Sequence, residues 1–582
     1  MGENGERSPL LGVRTGLKSP GAACMAVLVV EALEKVAFCS ISSSLVLYLS
    51  SSSTFGWGGT QAARAALFFL AASDLLSPVG GWLADVYLGC HASLLLSFSL
   101  CLLVACLLPV ATTLDGRLSL CGQLPTGTSQ NCSWTHGGAC QGQPPQLYCA
   151  PTIYASLLVL ALGLSSIKAN LSPFGADKVK DQAGNATRCF FSWFYWSINM
   201  GTVFCLLLVA FVQQNISFLA TYLIPVACLA LALLIFLLAT PTFLIKPPMG
   251  SQVSSMIKLA TKNFGCVWLG KIRARLNAHC WEAEDLLPSS RAQPGAPSPE
   301  EDLANFQVLT RILPVMVTFI PYGMVCSQMQ STYHLQGLHL RIPSVFQHSP
   351  SIPQAYMVRD EASSSTGLLP EAWLLLASTV VPLALVPLKN HIIDPFLARH
   401  KLFPSALQQM ALGMFFSLTS ILTAGFLEQE RLRYVQGEQV VLQRVGKDLY
   451  RAATLPVWWQ VPQYLLLSIS ELFVSISRLE FAYTEAPKSM KGAVMGLFFL
   501  TSGLGSLLGE GLLSLLSQPT HGWMQCPKEP GSTDRCQMDN YFFLLGGIQL
   551  TNCLLFSWTS RHYQSHPRLL AAPHPSLGPE ED

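Results

Sequence analysis

Charged residues are scarce in this chain of 582 residues: only 12% are Asp, Glu, Lys or Arg, about half of the ~25% that soluble globular domains carry. That is too little charge to cover the surface of a soluble protein of this size. Hydrophobic residues make up 51% of the chain, and the mean hydropathy is +0.40. The apolar excess is therefore expected to face a lipid bilayer, which excludes a soluble enzyme.

Several other features are missing as well. The formal net charge is only +2, and no run of five or more Lys or Arg occurs, so nucleic acid is not an expected partner. The sequence also lacks HExxH, GxSxG and P-loop motifs, which argues against a membrane enzyme. No cofactor is expected.

Long apolar windows predict an all-α integral membrane protein with twelve spans in two groups of six. Polar, proline-rich sequence between the groups predicts a mobile linker, which suggests a transporter built from two bundles. The predicted spans lie near 24–49, 62–84, 92–113, 152–173, 191–213, 218–240, 308–330, 371–388, 405–426, 458–484, 493–516 and 541–560. The predicted regions are a tail (1–21), a first six-helix bundle (22–240), a linker (241–306), a second bundle (307–560) and a second tail (561–582).

The distribution of Lys and Arg favours cytosolic tails, according to the positive-inside rule. With that orientation, six cysteines fall in loops that face a disulfide-permissive compartment: Cys121, Cys132, Cys140, Cys149, Cys526 and Cys536. Their pairing is left open by the sequence. Asn131 and Asn215 lie in glycosylation sequons on the same side, whereas Asn185 lies in a sequon on the cytosolic side and is expected to be unused.

Ionisable residues inside spans are costly and mark the places where function is expected. Span one carries Glu31, Glu34 and Lys35 on one helical face, at i, i+3 and i+4. One cation cannot neutralise two carboxylates. The surplus acid is expected to bind a proton at mildly acidic pH, because burial and like charge both oppose its ionisation. The alternative is a buried triad that only locks span one to its neighbours.

Further ionisable residues are Asp74 in span two, Lys168 in span four and Glu471 in span ten. Acids outnumber cations among these residues, so protonation of one acid changes which ion pairs can form. Each residue has the alternative of a purely structural pair. Arg478 lies two turns beyond Glu471 and close in sequence to Glu480 and Glu485, which predicts a local salt bridge.

The segment Gly80-Gly81-Trp82-Leu83-Ala84-Asp85 ends span two. Paired glycines allow close approach of helices, and Asp85 can cap or bridge the end of a neighbouring helix. The segment resembles the loop signature of the major facilitator superfamily, whose fold consists of two six-helix bundles around a central site.

The segments Lys246-Pro-Pro-Met-Gly-Ser-Gln and Leu479-Glu-Phe-Ala-Tyr resemble the peptide/histidine transporter branch of the proton-coupled oligopeptide transporter family. Four further motifs resemble those of the family as a whole. They occur in the expected order and spans, and the resemblance runs from about residue 22 to residue 560. The motifs are Glu31-Ala-Leu-Glu34-Lys35, Ile167-Lys168-Ala-Asn-Leu-Ser-Pro-Phe-Gly175-Ala-Asp177, Phe191-Ser-Trp-Phe-Tyr195-Trp-Ser-Ile-Asn199-Met-Gly201 and Ser470-Glu471-Leu472.

The resemblance implies roles for individual residues. Glu31, Glu34 and Lys35, with Asp74 nearby, would take part in proton coupling. Lys35 would also hold the substrate carboxylate together with Lys168. The remaining substrate contacts implied by the resemblance are Asn199 as a hydrogen-bonding group, Glu471 as the partner of the peptide amino group, and Gln328 and Phe498 as cavity residues.

The sequence also departs from the family pattern. Lys35 replaces an arginine and gives up the bidentate fork that suits a carboxylate. Asp74 replaces a tyrosine and adds an acid. Ser42 and Gln328 stand where many relatives have an arginine and a glutamate, so that ion pair at the outer gate is expected to be absent.

The sequence Glu6-Arg-Ser-Pro-Leu10-Leu11 fits an acidic dileucine sorting signal, which predicts clathrin adaptor complexes as partners and an endolysosomal membrane as the location. The predicted function is proton-coupled export of histidine and di- or tripeptides to the cytosol. The branch resemblance also suggests muropeptides as cargo and a link to innate immunity. One alternative is a facilitator of another small anion or zwitterion, and another is a membrane scaffold that recruits a cytosolic immune signalling adaptor.

Overall fold

Twelve membrane spans form the described part of the chain. The computed structural model describes residues 20–51, 55–121, 149–179, 186–215, 218–243, 299–328, 331–342, 369–400, 404–445, 448–517 and 537–565. Within them, nine helices are long and apolar enough to cross a membrane, and a bent pair covering 61–88 makes ten. The helices Pro20–Ser50 and Val461–Glu485, which carry the ionisable residues, complete the twelve.

The first six spans are built from nine α-helices, followed by a short 3-10 turn. These are α1 (Pro20–Ser50), α2 (Gly59–Leu75), α3 (Ser77–Leu83) with a π-helical end (Ala84–Leu88), α4 (Cys90–Ala105), α5 (Leu107–Val110), α6 (Leu114–Cys121), α7 (Ala150–Val179), α8 (Ala186–Asn215), α9 (Phe218–Ala239) and the turn Thr240–Thr242. Helix α1 packs against α2, α7, α8 and α9, and α4 packs against α7 and α9.

The second six spans are built from nine further helices, and short strands and turns join some of them. These are α10 (Pro299–Val317), α11 (Phe319–Ser327), α12 (Thr332–Leu338), β1 (Leu340–Arg341), α13 (Leu369–Leu388), a π-helical turn (Lys389–Ile393), α14 (Asp394–Arg399), α15 (Ala406–Gln436), β2 (Val440–Val445), β3 (Asp448–Pro456), a 3-10 turn (Val457–Gln460), α16 (Val461–Glu485), α17 (Lys491–Leu516) and α18 (Met538–Ser565). Helix α15 packs against α16 and α18, and α11 packs against α17. The predicted fold class is confirmed.

Two features differ from the expectations. Helix α10 begins at Pro299, inside the predicted linker. Proline at a first helical position followed by Glu300 and Glu301 is a typical helix start, because proline needs no amide donor there and acids stabilise the positive end of the helix. A small sheet in strand order β1-β3-β2 was not expected; β2 and β3 pair antiparallel from Val440 opposite Ala453 to Val445 opposite Asp448.

Bends and close approaches shape the spans around the centre of the molecule. Helices α2 and α3 meet at an angle of 40°, where Pro78 in the first turn of α3 interrupts the helical hydrogen bonds. Gly80 lies against the backbone of Ser166, and Gly81 lies against the backbone of Gly492. Any side chain at these glycines would clash, so the paired glycines do allow the close helix approach that the sequence predicts.

An even number of spans puts residues 20 and 565 on the same side of the molecule, here called the terminal side. The contacts between the two bundles join α17 to α2, α3 and α7, and join α8 to α13 and α16. Apart from the hydrogen bond from Trp196 Nε1 to the Leu383 carbonyl oxygen, the described hydrogen bonds and ion pairs between the bundles lie near helix ends on the terminal side.

Candidate functional site

Two buried carboxylates on α1 form one wall of the candidate site. The side chains of Glu31 and Glu34 are only 7% and 2% exposed. Neither forms an ion pair with any described residue, and the Oε1 atom of Glu34 has no hydrogen-bond partner. The positive charges of Lys35 and Lys168 act on both carboxylates. The structure therefore brings together the four charged groups that the sequence singles out in spans one and four.

Asp74 and Lys168 form an ion pair beside these carboxylates. The Lys168 Nζ atom lies 2.9 Å from Asp74 Oδ1 and donates a second hydrogen bond to Ser73 Oγ at 3.2 Å. The ring of Phe38 contacts both lysines, with its centroid 4.3 Å from Lys168 Nζ and 4.9 Å from Lys35 Nζ. Lys168 is thus already paired in this conformation, and Lys35 is the cation without a carboxylate partner among the described residues.

Glu471 lies on α16, in the other bundle, and faces the charged groups of α1. Its carboxylate and the Lys35 ammonium interact electrostatically across the space between the bundles. Tyr195 on α8 lies near Glu471 and near Asn199, whose amide donates to the Tyr195 carbonyl oxygen at 2.8 Å. A cationic end and an anionic end therefore face each other from opposite bundles.

The local salt bridge predicted for Arg478 is wrong. Glu480 instead accepts two hydrogen bonds from Arg188 Nε, at 2.8 and 2.9 Å. Glu485 accepts a hydrogen bond from the Tyr563 hydroxyl at 2.7 Å. Residues two positions apart on a helix point in different directions, so Glu480 turns toward α8 and away from Arg478.

Gln328 and Phe498 are packed inside the second bundle. The Gln328 side chain is fully buried, donates to the Met324 carbonyl oxygen and accepts from Thr332 and Tyr541. Phe498 is 1% exposed and its ring packs against Phe319 and Phe481. The structure does not bring either side chain to the charged groups in this conformation, and their contact with substrate stays a prediction.

Contacts between the bundles join their terminal-side ends. Asp85 accepts hydrogen bonds from the backbone amides of Gly492 and Ala493, at 3.4 and 2.8 Å, at the start of α17. This is the helix-end role predicted for Asp85. The ion pair Lys491–Asp177, at 2.8 Å, and the pair Arg188–Glu480 described above join the same ends.

Asp177 ends one of the sequence motifs, but no role was predicted for it, and neither Arg188 nor Lys491 was predicted to join the bundles. The only signal was the position of these residues at the predicted ends of spans four, five and eleven, where charge is common. The neighbouring sequence does not identify the ion-pair partner of either cation, since Lys491 and Asp177 are 314 positions apart and Arg188 and Glu480 are 292 positions apart.

Several predicted sites lie outside the described residues: Glu6, Leu10, Leu11, Asn131, Asn185, Cys132, Cys140, Cys526 and Cys536. Asn215 is the last residue of α8. Cys121 and Cys149, whose pairing the sequence left open, form a disulfide bond. It joins the end of α6 to the residue before α7, on the side of the molecule opposite the terminal side.

Comparisons with known proteins agree with this geometry. A family model described as PTR2, POT family, matches residues 118–527. The chain is 54% identical to "Solute carrier family 15 member 3" of Mus musculus, covering 96% of this chain and 95% of that protein. It is also 54% identical to the Rattus norvegicus protein of the same name, with the same coverage.

A solved structure described as "Crystal structure of auto inhibited POT family peptide transporter" has the same fold. The TM-score is 0.59 at 19% identity, and the match covers 95% of this chain and 99% of that one. The family model matches more than half of the chain, and the two relatives match nearly its whole length. The chain belongs to the POT family, and it is a multi-pass membrane transporter of peptides, not an enzyme.

Proposed function

We propose that the chain is a proton-coupled symporter that exports histidine and di- or tripeptides, including muropeptides, from the endolysosomal lumen to the cytosol. The observation that carries this proposal is the surplus of buried acid between the bundles. Among the residues that the structure describes, Glu31 and Glu34 share their surroundings with one unpaired cation, Lys35, and one Glu34 oxygen has no hydrogen-bond partner.

Proton binding follows from that surplus. A buried carboxylate without a full set of hydrogen bonds is costly, and taking up a proton removes its charge. Because Glu31 and Glu34 repel each other, the pair holds one proton more readily than two negative charges. Protonation of one carboxylate would leave a single negative charge beside Lys35 on α1, so this lysine is held less strongly by its own helix and can bind a substrate carboxylate.

Substrate would bind between Lys35 on α1 and Glu471 on α16, whose charged groups face each other. A zwitterionic amino acid or peptide presents a carboxylate to Lys35 and an amino group to Glu471, and Asn199 supplies an amide between them. Such a ligand connects helix α1 of the first bundle to helix α16 of the second. Binding therefore draws the bundles together, which is how a substrate drives closure of its own site.

The direction of transport depends on orientation and compartment, which we take from the charge distribution and the dileucine sequence. The terminal side is then cytosolic, and the contacts through Asp85, Asp177 and Glu480 join the bundles on that side, so substrate would enter from the opposite side. A lumen about 2.5 pH units below the cytosol supplies about 3.4 kcal/mol per exported proton. That energy supports roughly a 300-fold substrate gradient.

Radiolabelled histidine uptake tests the proposal. Leu10→Ala and Leu11→Ala are combined to redirect the protein to the plasma membrane, where the luminal face becomes external. Leu17→Ala serves as a control that leaves the dileucine sequence intact and keeps the protein inside the cell. We expect uptake at external pH 5.5 to exceed uptake at pH 7.5 several-fold. Equal rates at the two pH values would overturn proton coupling.

A further inference from the structure

Arg478 is a second cation between the bundles, and the mechanism above does not use it. It lies on α16 seven residues after Glu471, so the two share a helical face about 10 Å apart along the axis. Helix α16 runs toward the terminal side, which places Arg478 deeper than Glu471 for a substrate that enters from the opposite side.

The surroundings of Arg478 place it at the inner space and away from lipid. The neighbouring residues Ser477 and Leu479 are buried in the bundle, whereas the Arg478 side chain keeps partial exposure. Its charge interacts with Asp74 of the other bundle and with Glu471. Because charged groups of both bundles act on Arg478, its side chain faces the space between the bundles.

Among the carboxylates that the structure describes, none pairs directly with Arg478. It forms no ion pair with any residue in the part of the chain that the structure describes, and its Nε atom has no hydrogen-bond partner. The guanidinium carbon lies 5.8 Å from the ring centroid of Phe499 and 6.0 Å from that of Phe319. Two ring faces at the limit of cation–π distance compensate only partly for the loss of water.

We propose that Arg478 binds the side-chain carboxylate of an acidic residue in the peptide substrate, so that the transporter favours acidic di- and tripeptides. The inference rests on the proposed function and adds a substrate class to it. A guanidinium presents paired donors that match a carboxylate. With its amino group at Glu471, an extended peptide covers about 3.3–3.6 Å per residue. Its second or third side chain then comes within reach of Arg478.

The chemistry of the compartment is compatible with this role. A glutamate side chain ordinarily titrates near pH 4.3, so it stays mostly ionised at pH 5.5. The acidic peptide therefore arrives with the negative charge that Arg478 would bind.

Competition between two isosteric peptides tests the inference. Uptake of Ala-Glu and Ala-Gln is measured at pH 5.5 in the protein redirected through Leu10→Ala and Leu11→Ala, alone and combined with Arg478→Gln. We expect Ala-Glu to be preferred by the parent protein, and Arg478→Gln to reduce the Ala-Glu to Ala-Gln ratio about tenfold while Ala-Gln uptake persists. Arg433→Gln, at an exposed position, should leave the ratio unchanged.

An unchanged ratio, or equal loss of both peptides in Arg478→Gln, would overturn the inference and assign Arg478 a structural role. If Arg478→Gln fails to fold, Arg478→Lys serves instead, because it keeps the charge and removes the paired donors of the guanidinium. The Ala-Glu to Ala-Gln uptake ratio of Arg478→Lys should fall about threefold. No change in that ratio would also overturn the inference. Thermal stabilisation of purified protein by Ala-Glu relative to Ala-Gln measures binding without transport. Absence of pH-driven uptake together with a preserved binding preference would reject the symport mechanism and retain the role of Arg478.

Discussion

The two halves of the molecule carry their buried charge differently. In the first half, Glu31, Glu34 and Lys35 on α1 lie beside the paired residues Asp74 and Lys168, and acids outnumber cations. In the second half, Glu471 and Arg478 are one acid and one cation on a single helix. In the proposed mechanism the unbalanced half binds a proton, whereas the balanced half binds both a positive and a negative group of a ligand.

The second half also shows how buried charge is handled when it serves structure alone. Glu428 and Arg431 on α15 are fully buried and joined by several hydrogen bonds, and Gln336 donates to Glu428 at 2.9 Å. Both Glu428 oxygens accept hydrogen bonds in this pair, which has no surplus charge and no reason to change partners. The carboxylates of α1 lack such hydrogen bonds to the described residues, which is why we assign them the proton.

Glu34→Gln gives the largest expected effect, because it removes the surplus acid that distinguishes the first half. A proton–substrate coupling of about 1–3 kcal/mol corresponds to a change of about 5- to 150-fold in apparent affinity. We expect pH-driven uptake to be lost while exchange of labelled for unlabelled substrate persists. Glu438→Gln, at an exposed position in the second half, is the matched control. Retention of pH-driven uptake in Glu34→Gln would place the proton elsewhere.

Glu471→Gln tests the ligand-binding role of the second half. Loss of a charge-assisted hydrogen bond to the peptide amino group costs about 1.5–3 kcal/mol, which raises KM roughly 10- to 150-fold. The ratio of uptake at pH 5.5 to uptake at pH 7.5 should remain, since the acid surplus of α1 is intact. Initial rates over a range of peptide concentrations, at both pH values, measure KM and the uptake ratio. Loss of the uptake ratio with an unchanged KM would assign proton coupling to the second half and not to the first.

Asp74→Asn and Lys168→Gln sharpen the comparison inside the first half. Each single substitution leaves one partly buried charge unpaired, and we expect each to lower the melting temperature of purified protein. The double variant should recover part of that loss, with a coupling energy of about 0.5–3 kcal/mol. Strict additivity of the two effects would mean that the 2.9 Å ion pair does not stabilise this conformation.

Asp85→Asn has the smallest expected effect and tests the terminal-side contacts. The neutral side chain of asparagine accepts a hydrogen bond from the Ala493 backbone amide less strongly than a carboxylate does. Weakening this hydrogen bond by roughly 1 kcal/mol should make the Ala493 amide exchange with deuterium a few-fold faster. Mass spectrometry of the peptide that contains Ala493 measures the change. Asp115→Asn, exposed on the opposite side, controls for loss of charge. Unchanged exchange in Asp85→Asn would show that this contact does not hold the bundles together.

Much of the fold follows from hydropathy. Each predicted span coincides with a helix or a bent helix pair, because about 20 apolar residues leave the backbone few other ways to satisfy its hydrogen bonds in lipid. Helix i, i+3, i+4 spacing likewise predicts that Glu31, Glu34 and Lys35 share a face. These predictions depend only on residues that are close in sequence.

Partner choice between distant helices could not be predicted in this way. Sequence proximity suggested Glu480 for Arg478, yet Glu480 binds Arg188, and Asp177 binds Lys491. Which charges meet depends on how two bundles pack, and that is set by many small contacts such as those at Gly81 and Gly492. The short sheet was missed because β2 and β3 lie in a connection between two spans, and hydropathy windows of about 20 residues detect spans and not strands.

Proton flux in liposomes tests the central claim most directly. Purified protein is reconstituted with a pH-sensitive dye inside the vesicles, and Ala-Gln is added outside in the absence of a pH gradient. We predict that the peptide carries protons inward and acidifies the interior with the parent protein, and that the variant with Glu31→Gln and Glu34→Gln moves peptide without acidification. Equal acidification by the two proteins would contradict the assignment of proton coupling to the surplus acid of α1.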